Sequence, residues 1–264
     1  MSIVIEALRD TIELVIDEPT LIIGALCFMI FAAISSLFSW IPLVGPIISI
    51  ALVAVALVGY TAMVDAAITR KASLGAFIHG IFEYWGRTIK AHLCIVVILV
   101  TILSAINLIS ALLLPIPTAS SAFDMILNPT FAPTQFLFIG IFAVAYLPVF
   151  LLFTSQTLLC ATIVITDSGA LTAVRGSTAA IFVTPVAMLA YILLRFGILL
   201  IAPTIGLIIF QEAAIGVGLL VGVTYAVSEI YTVCYYRRRK EYLEHAHSSV
   251  GSDASSQSSD INST

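Results

Sequence analysis

Residues 19–64 read PTLIIGALCFMIFAAISSLFSWIPLVGPIISIALVAVALVGYTAMV, 46 positions between Glu18 and Asp65 without one Asp, Glu, Lys or Arg. A helix crosses about 30 Å of hydrocarbon in about 20 residues, so this run holds two crossings and the turn between them. The turn is marked by Trp40, Pro42, Gly45 and Pro46. Proline and glycine interrupt a helix, and tryptophan favours the boundary between lipid and water. A membrane barrel would instead alternate apolar and polar residues with period two. Stretches such as Ile95-Val96-Val97-Ile98-Leu99-Val100 are apolar on every side, which selects helices.

The same ruler works along the rest of the chain. Charge-free gaps of 33 residues (Lys90 to Asp124) and 42 residues (Asp124 to Asp167) follow. The expected architecture is an all-α, polytopic transmembrane bundle of six spans near 20–38, 46–65, 91–114, 135–160, 184–202 and 213–236. Composition agrees: of 264 residues 61% are hydrophobic and 10% charged, with mean hydropathy +1.14. Soluble domains carry about 25% charged residues, so neither a soluble enzyme nor a disordered chain fits. A formal net charge of −4 argues against a nucleic-acid partner.

Cationic residues in short loops favour the cytoplasmic side of a membrane. Ten of the 11 Lys and Arg fall on one side of this layout: Arg9, Arg70, Lys71, Arg87, Lys90, Arg175, Arg237, Arg238, Arg239 and Lys240. The turns near 39–45, 115–134 and 203–212 contain none. Both termini are therefore expected in the cytoplasm, in a prokaryotic cell membrane. Met1 to Leu14 lacks a basic leader, so no cleavable signal is expected there. Residues 1–19 read as an amphipathic helix, with Ile5, Leu8, Ile12 and Val15 opposite Glu6, Asp10, Glu13 and Asp17. Residues 237–264 read as a basic anchor and a disordered, Ser-rich cytoplasmic tail.

Alignment of Ala7, Ala76 and Ala173 exposes a weak threefold repetition within 1–236: a cytoplasmic interfacial helix, a span, an outer turn and a second span. Pro19 and Pro185 lie twelve residues beyond their alanines, where Thr88 stands in the middle copy. Interfacial helices are expected near 73–90 and 169–182. In the first of these Leu74, Phe77, Ile78, Ile81, Phe82, Trp85 and Ile89 form one apolar stripe.

The segment from Ala161 through Asp167, Ser168 and Gly169 to Arg175 and Ser177 resembles a pattern in a six-span prokaryotic membrane-protein family. That family includes the membrane domain fused to some glycerophosphoryl diester phosphodiesterases, and many uncharacterised archaeal proteins. Their pattern is an apolar strip, an acidic-glycine turn, then Ala-x-x-Arg-x-Ser. Arg175 and Ser177 match it, whereas Thr172 stands where the pattern has alanine. The resemblance implies a six-span layout and a lipid-related setting; the phosphodiesterase domain is absent and its catalysis is not carried over.

The eleventh cation, Arg195, lies inside the fifth span, about 16 Å beyond Thr184. A lone arginine at that depth is costly and needs a partner. Glu229 in the sixth span sits at nearly the same depth, eight residues before Arg237, so an intramembrane Arg195–Glu229 pair is expected; Glu212 and Asp65 are alternatives. Ala214, Gly218, Gly222 and Ala226 form a small-residue ladder on the face of Glu229, which lets another helix approach closely. Ser104, Asn107 and Gln156 are weaker intramembrane polar candidates. His79, Glu83, His92 and Asp65 lack metal-ligand spacing, and Cys27, Cys94, Cys160 and Cys234 occupy separate spans, so no metal or cofactor is expected. No G-x-S-x-G, Walker A or G-x-G-x-x-G motif occurs. The expectation is a noncatalytic membrane component, accessory or lipid-related, with membrane lipids and other membrane proteins as partners. A transporter or channel using the Arg195/Glu229 region is the alternative.

Overall fold

A computed structural model of the chain describes residues 2–38, 40–42, 44–113, 155–209 and 214–259. Those residues form helices joined by turns, with no strand among them. In chain order the helices are α1 (Ser2–Asp17), α2 (Thr20–Phe38), α3 (Gly45–Thr69), α4 (Leu74–Leu113), α5 (Ser155–Thr166), α6 (Ala170–Val183), α7 (Pro185–Ile209) and α8 (Ala214–Ser259). Among the described residues three helical segments are long and apolar enough to cross a bilayer: α2, α3 and Leu74–Ile106 of α4. Joining α6 to α7 as one bent span makes a fourth. The outer loop 115–134 and residues 135–154 of the fourth expected span lie outside the described residues.

Two prolines stand where helices break, whereas Pro203 lies inside α7. Glu18-Pro19 separates α1 from α2, and Thr184-Pro185 separates α6 from α7, which meet at a bend of 104°. Proline removes a backbone donor and crowds the preceding turn. Thr88, at the equivalent place in the middle copy, has a donor and no ring. The expected division into an interfacial helix near 73–90 and a span at 91–114 is therefore replaced by one continuous helix of 40 residues. At 1.5 Å per residue it is about 60 Å long, twice the hydrocarbon thickness. Phe82 (75% exposed) and Trp85 (53%) stand outward on its first half.

The bundle is assembled by helix pairs that approach closely. A Cβ added at Gly80 of α4 would lie 2.3 Å from the Ala62 Cβ of α3, so this crossing requires glycine. One core joins α1, α2, α3, α5, α7 and α8 through Val4, Ala7, Leu21, Tyr60, Met63, Leu158, Met188, Tyr191, Ile230 and Tyr235. A second seats α5 between α4 and α6 through Ala91, Ile95, Leu159, Ile163 and Ala173. The side chains of Ile22, Ile30, Val97, Val100 and Leu193 stay exposed, an apolar girdle suited to hydrocarbon rather than water.

The two ends of the chain both involve α8. The acidic face of α1 docks on α8, where Asp10 takes bonds from Arg238 Nε at 2.7 Å and Nη2 at 3.0 Å. At the other end α8 continues to Ser259, so residues 245–259, which composition assigns to a disordered tail, are helical. Extending an existing helix avoids the cost of nucleation, and no proline interrupts this stretch.

Candidate functional site

Arg195 projects from α7 and Glu229 from α8. Arg195 Nη2 pairs with Glu229 Oε1, and the two residues are only 5% and 1% exposed. The Arg195 Nη1 group donates to Tyr191 Oη at 2.8 Å and to Thr232 Oγ1 at 2.6 Å. These two hydroxyls lie 2.9 Å apart, and Thr232 Oγ1 also donates to the Ser228 carbonyl at 2.8 Å. Helical spacing places every member: Tyr191 is one turn before Arg195, while Ser228 and Thr232 flank Glu229 on adjoining turns. Charge and hydroxyl groups thus satisfy one another, as a buried ion pair requires.

Aromatic rings hold this network in place. The Tyr191 ring stacks on Tyr235 at 4.5 Å and on Tyr231 at 5.4 Å between centroids. One turn before Glu229, on the flank of α8 that meets α2, Tyr225 stacks on Phe28 at 5.2 Å with an interplanar angle of 4°. The small-residue ladder works on that flank too. A Cβ on Gly222 would fall 2.2 Å from Met29 Sδ, so the close approach is to α2, while Glu229 reaches α7. Ala226 is buried in the core. Ala214 and Gly218 belong to α8, but their surroundings lie outside the described residues.

The network forms one wall of a cavity of about 400 Å³ between α3, α4, α5, α7 and α8. Its polar lining includes Arg195, Glu229, Tyr191, His92, Gln156 and Thr157; Val53, Ala54, Leu57, Ile192, Phe196 and Leu199 supply much of the rest. His92 is 6% exposed, and its Nδ1 lies 2.9 Å from the Thr88 carbonyl. The volume falls within the roughly 300–1,000 Å³ of small-molecule sites, and so does the chemistry: mostly apolar walls with a few convergent polar groups. Sequence reasoning left this cavity out. Arg195 and Glu229 announce themselves by charge, but His92 and Gln156 reach the same space only through the relative rotation of α4 and α5.

The other sequence candidates are dispersed. Asp65 accepts from Arg237 Nε at 2.8 Å and Nη2 at 2.6 Å, rather than pairing with Arg195. His79 Nε2 lies 2.8 Å from Glu83 Oε2 on an exposed surface, so these residues and His92 do not converge. Ser104 is exposed, and the Asn107 side chain is outside the described residues. Cys27, Cys94, Cys160 and Cys234 are free thiols.

The cationic run Arg237 to Arg239 becomes a second cluster. Arg237, Arg238 and Arg239 are consecutive, so they point about 100° apart around α8. They reach Asp65 at the end of α3, Asp10 on α1, and Thr184 at the bend before α7, the last at 3.1 Å. The bond to Asp10 holds the Arg238 guanidinium above its ordinary pKa range. Elsewhere Arg87 pairs with Asp167 and donates to its carbonyl at 3.3 Å. Asp167 has φ 47°, a left-handed turn that Asp tolerates better than most residues. Gly169 follows, completing the turn into α6, on which Arg175 is exposed and Ser177 buried.

Comparison of the chain with protein-family models, curated proteins and solved structures finds no match in any of the three.

Proposed function

We propose that this chain is a multi-pass protein of a prokaryotic cell membrane that binds a small neutral or zwitterionic solute between its helices and conducts it across. The observation that carries this reading is the cavity lined by the Arg195–Glu229 pair. A binding site there begins electroneutral, and a ligand without net charge leaves it so. An ion of either sign would bury an uncompensated charge, which costs several kcal/mol. In this reading the layout is six spans, with interfacial segments preceding the first and fifth, while the third belongs to the continuous helix α4. Arg237, Arg238 and Arg239 gather α1, α3 and the α6–α7 bend at one end of the bundle. That clustering supports placing this end, and both termini, in the cytoplasm. No catalytic role is assigned.

Osmotic swelling of proteoliposomes tests the proposal, with two simple zwitterions as probes. Swelling above that of empty liposomes is expected with glycine or glycine betaine, and a loss in Ala54→Trp, which fills the cavity, and in Glu229→Gln. Permeation of chloride salts alone, or none with either probe, contradicts it.

A second reading is favoured by the internal satisfaction of the ion pair, whose hydrogen bonds go to Tyr191 and Thr232. Such a pair staples two helices of an accessory membrane component, and the likeness of residues 161–177 to the phosphodiesterase-linked membrane family gives it a lipid-related setting. Wild-type levels of native co-purifying membrane proteins together with no swelling would favour this reading.

A further inference from the structure

Of the three arginines that fan out from α8, Arg237 and Arg238 meet carboxylates and Arg239 meets none among the described residues. Arg239 is 7% exposed, yet its bond runs from Nε to the neutral Thr184 hydroxyl. A guanidinium carries five N–H donors, and a buried cation without a counter-charge is expensive. Burial pushes Arg239 below its ordinary pKa, with only the phenols of Tyr235 and Tyr236 acting the other way.

The surroundings are suited to an anion. An open hollow of about 430 Å³ lies along one face of α8, bordered by Tyr236, Arg239, Lys240, Leu243 and Glu244. Lys240 is exposed and 4.0 Å from the Glu244 carboxylate that lines the same space, a contact at the limit of ion pairing. Thr184 immediately precedes α7, whose first turn contains no acidic residue. Its positive end therefore adds to the field beside Arg239. Phe182, Val183 and Val186, all exposed, flank the same bend with apolar surface.

We propose that this hollow binds a phosphate group, with Arg239 as the principal donor and Lys240 as the second charge. The phosphate belongs either to an anionic phospholipid headgroup, with its chains along the exposed apolar residues of the bend, or to a free phosphate ion. The site is distinct from the solute cavity and does not depend on it.

Full-length protein in phosphatidylcholine nanodiscs, with or without phosphatidylglycerol, separates the two sources. Native mass spectrometry reads retained lipid, and thermal unfolding reads the effect of added inorganic phosphate. Retention of phosphatidylglycerol by the wild type, weakened roughly tenfold or more in Arg239→Gln and unchanged in Arg70→Gln, identifies the lipid. A rise in Tm with inorganic phosphate in phosphatidylcholine alone, absent in Arg239→Gln, identifies the free ion. Lys240→Gln, at an exposed position, is expected to weaken either effect partially and serves if Arg239→Gln does not fold. No retention and no shift in the wild type overturns the proposal. So does equal binding by Arg239→Gln or, where that variant does not fold, by Lys240→Gln.

Discussion

Arginine–carboxylate contacts occur at two levels of this bundle, under opposite conditions. At Arg195 both partners are almost wholly buried, with side chains 7% and 2% exposed, and hydroxyls take up the remaining donors. At the end of α8, the Arg237–Asp65 side chains are 24% and 22% exposed, and those of Arg238–Asp10 are 41% and 29% exposed. The deep pair is coupled because neither charge can turn to water. The outer pairs are individually weak, screened by salt and solvent, and act chiefly by fixing which helices α8 touches. One residue type thus serves as an obligate partner at one depth and as a positional guide at the other.

The largest effect that would break this contrast is expected from removing one deep charge. Arg195→Leu or Glu229→Leu alone should cost about 3–5 kcal/mol, because each strands its partner; equilibrium unfolding in detergent reads it. A loss no greater than at the outer pairs would erase the distinction between the two levels. Gly80→Ala comes next, at about 1–3 kcal/mol, since the new methyl meets the rigid Ala62 Cβ and forces α3 and α4 apart. Gly222→Ala should cost less in the same measurement, because the obstacle there is the flexible end of Met29. Asp65→Asn should lower stability by about 1 kcal/mol or less, a difference that shrinks further in high salt. The smallest effect is expected from Arg87→Gln, whose unfolding midpoint should match the wild type in high salt.

What the sequence discloses and what it withholds follow from the range of each signal. Charge-free runs mark α2 and α3 because hydrocarbon excludes charge over a fixed thickness, a property of each segment alone. Proline is a local signal as well, though not an absolute one: Pro19 and Pro185 coincide with helix ends and Thr88 with continuity, while Pro203 stands inside α7. The repeat is therefore a weaker guide to helix breaks than the residue occupying each position. Depth along a helix brings Arg195 and Glu229 to one level whatever the arrangement of the other helices. Rotation is different. That Gly222 meets Met29 of α2, or that His92 and Gln156 line the Arg195 cavity, depends on how five helices are turned relative to one another. The Arg237–Arg238–Arg239 run reads as a membrane-side marker; its partners Asp65 and Asp10 lie 172 and 228 positions away. Composition likewise misjudges residues 245–259, because it contains no information about the helix already formed upstream.

The double-mutant cycle at Arg195 and Glu229 bears most directly on this account. If the two charges form one neutral unit inside the bundle, the Arg195→Leu/Glu229→Leu variant should be less destabilised than the sum of its single substitutions by at least about 1 kcal/mol. Losses that simply add would mean that each side chain finds its stability elsewhere, and the pair at the wall of the cavity would lose its meaning.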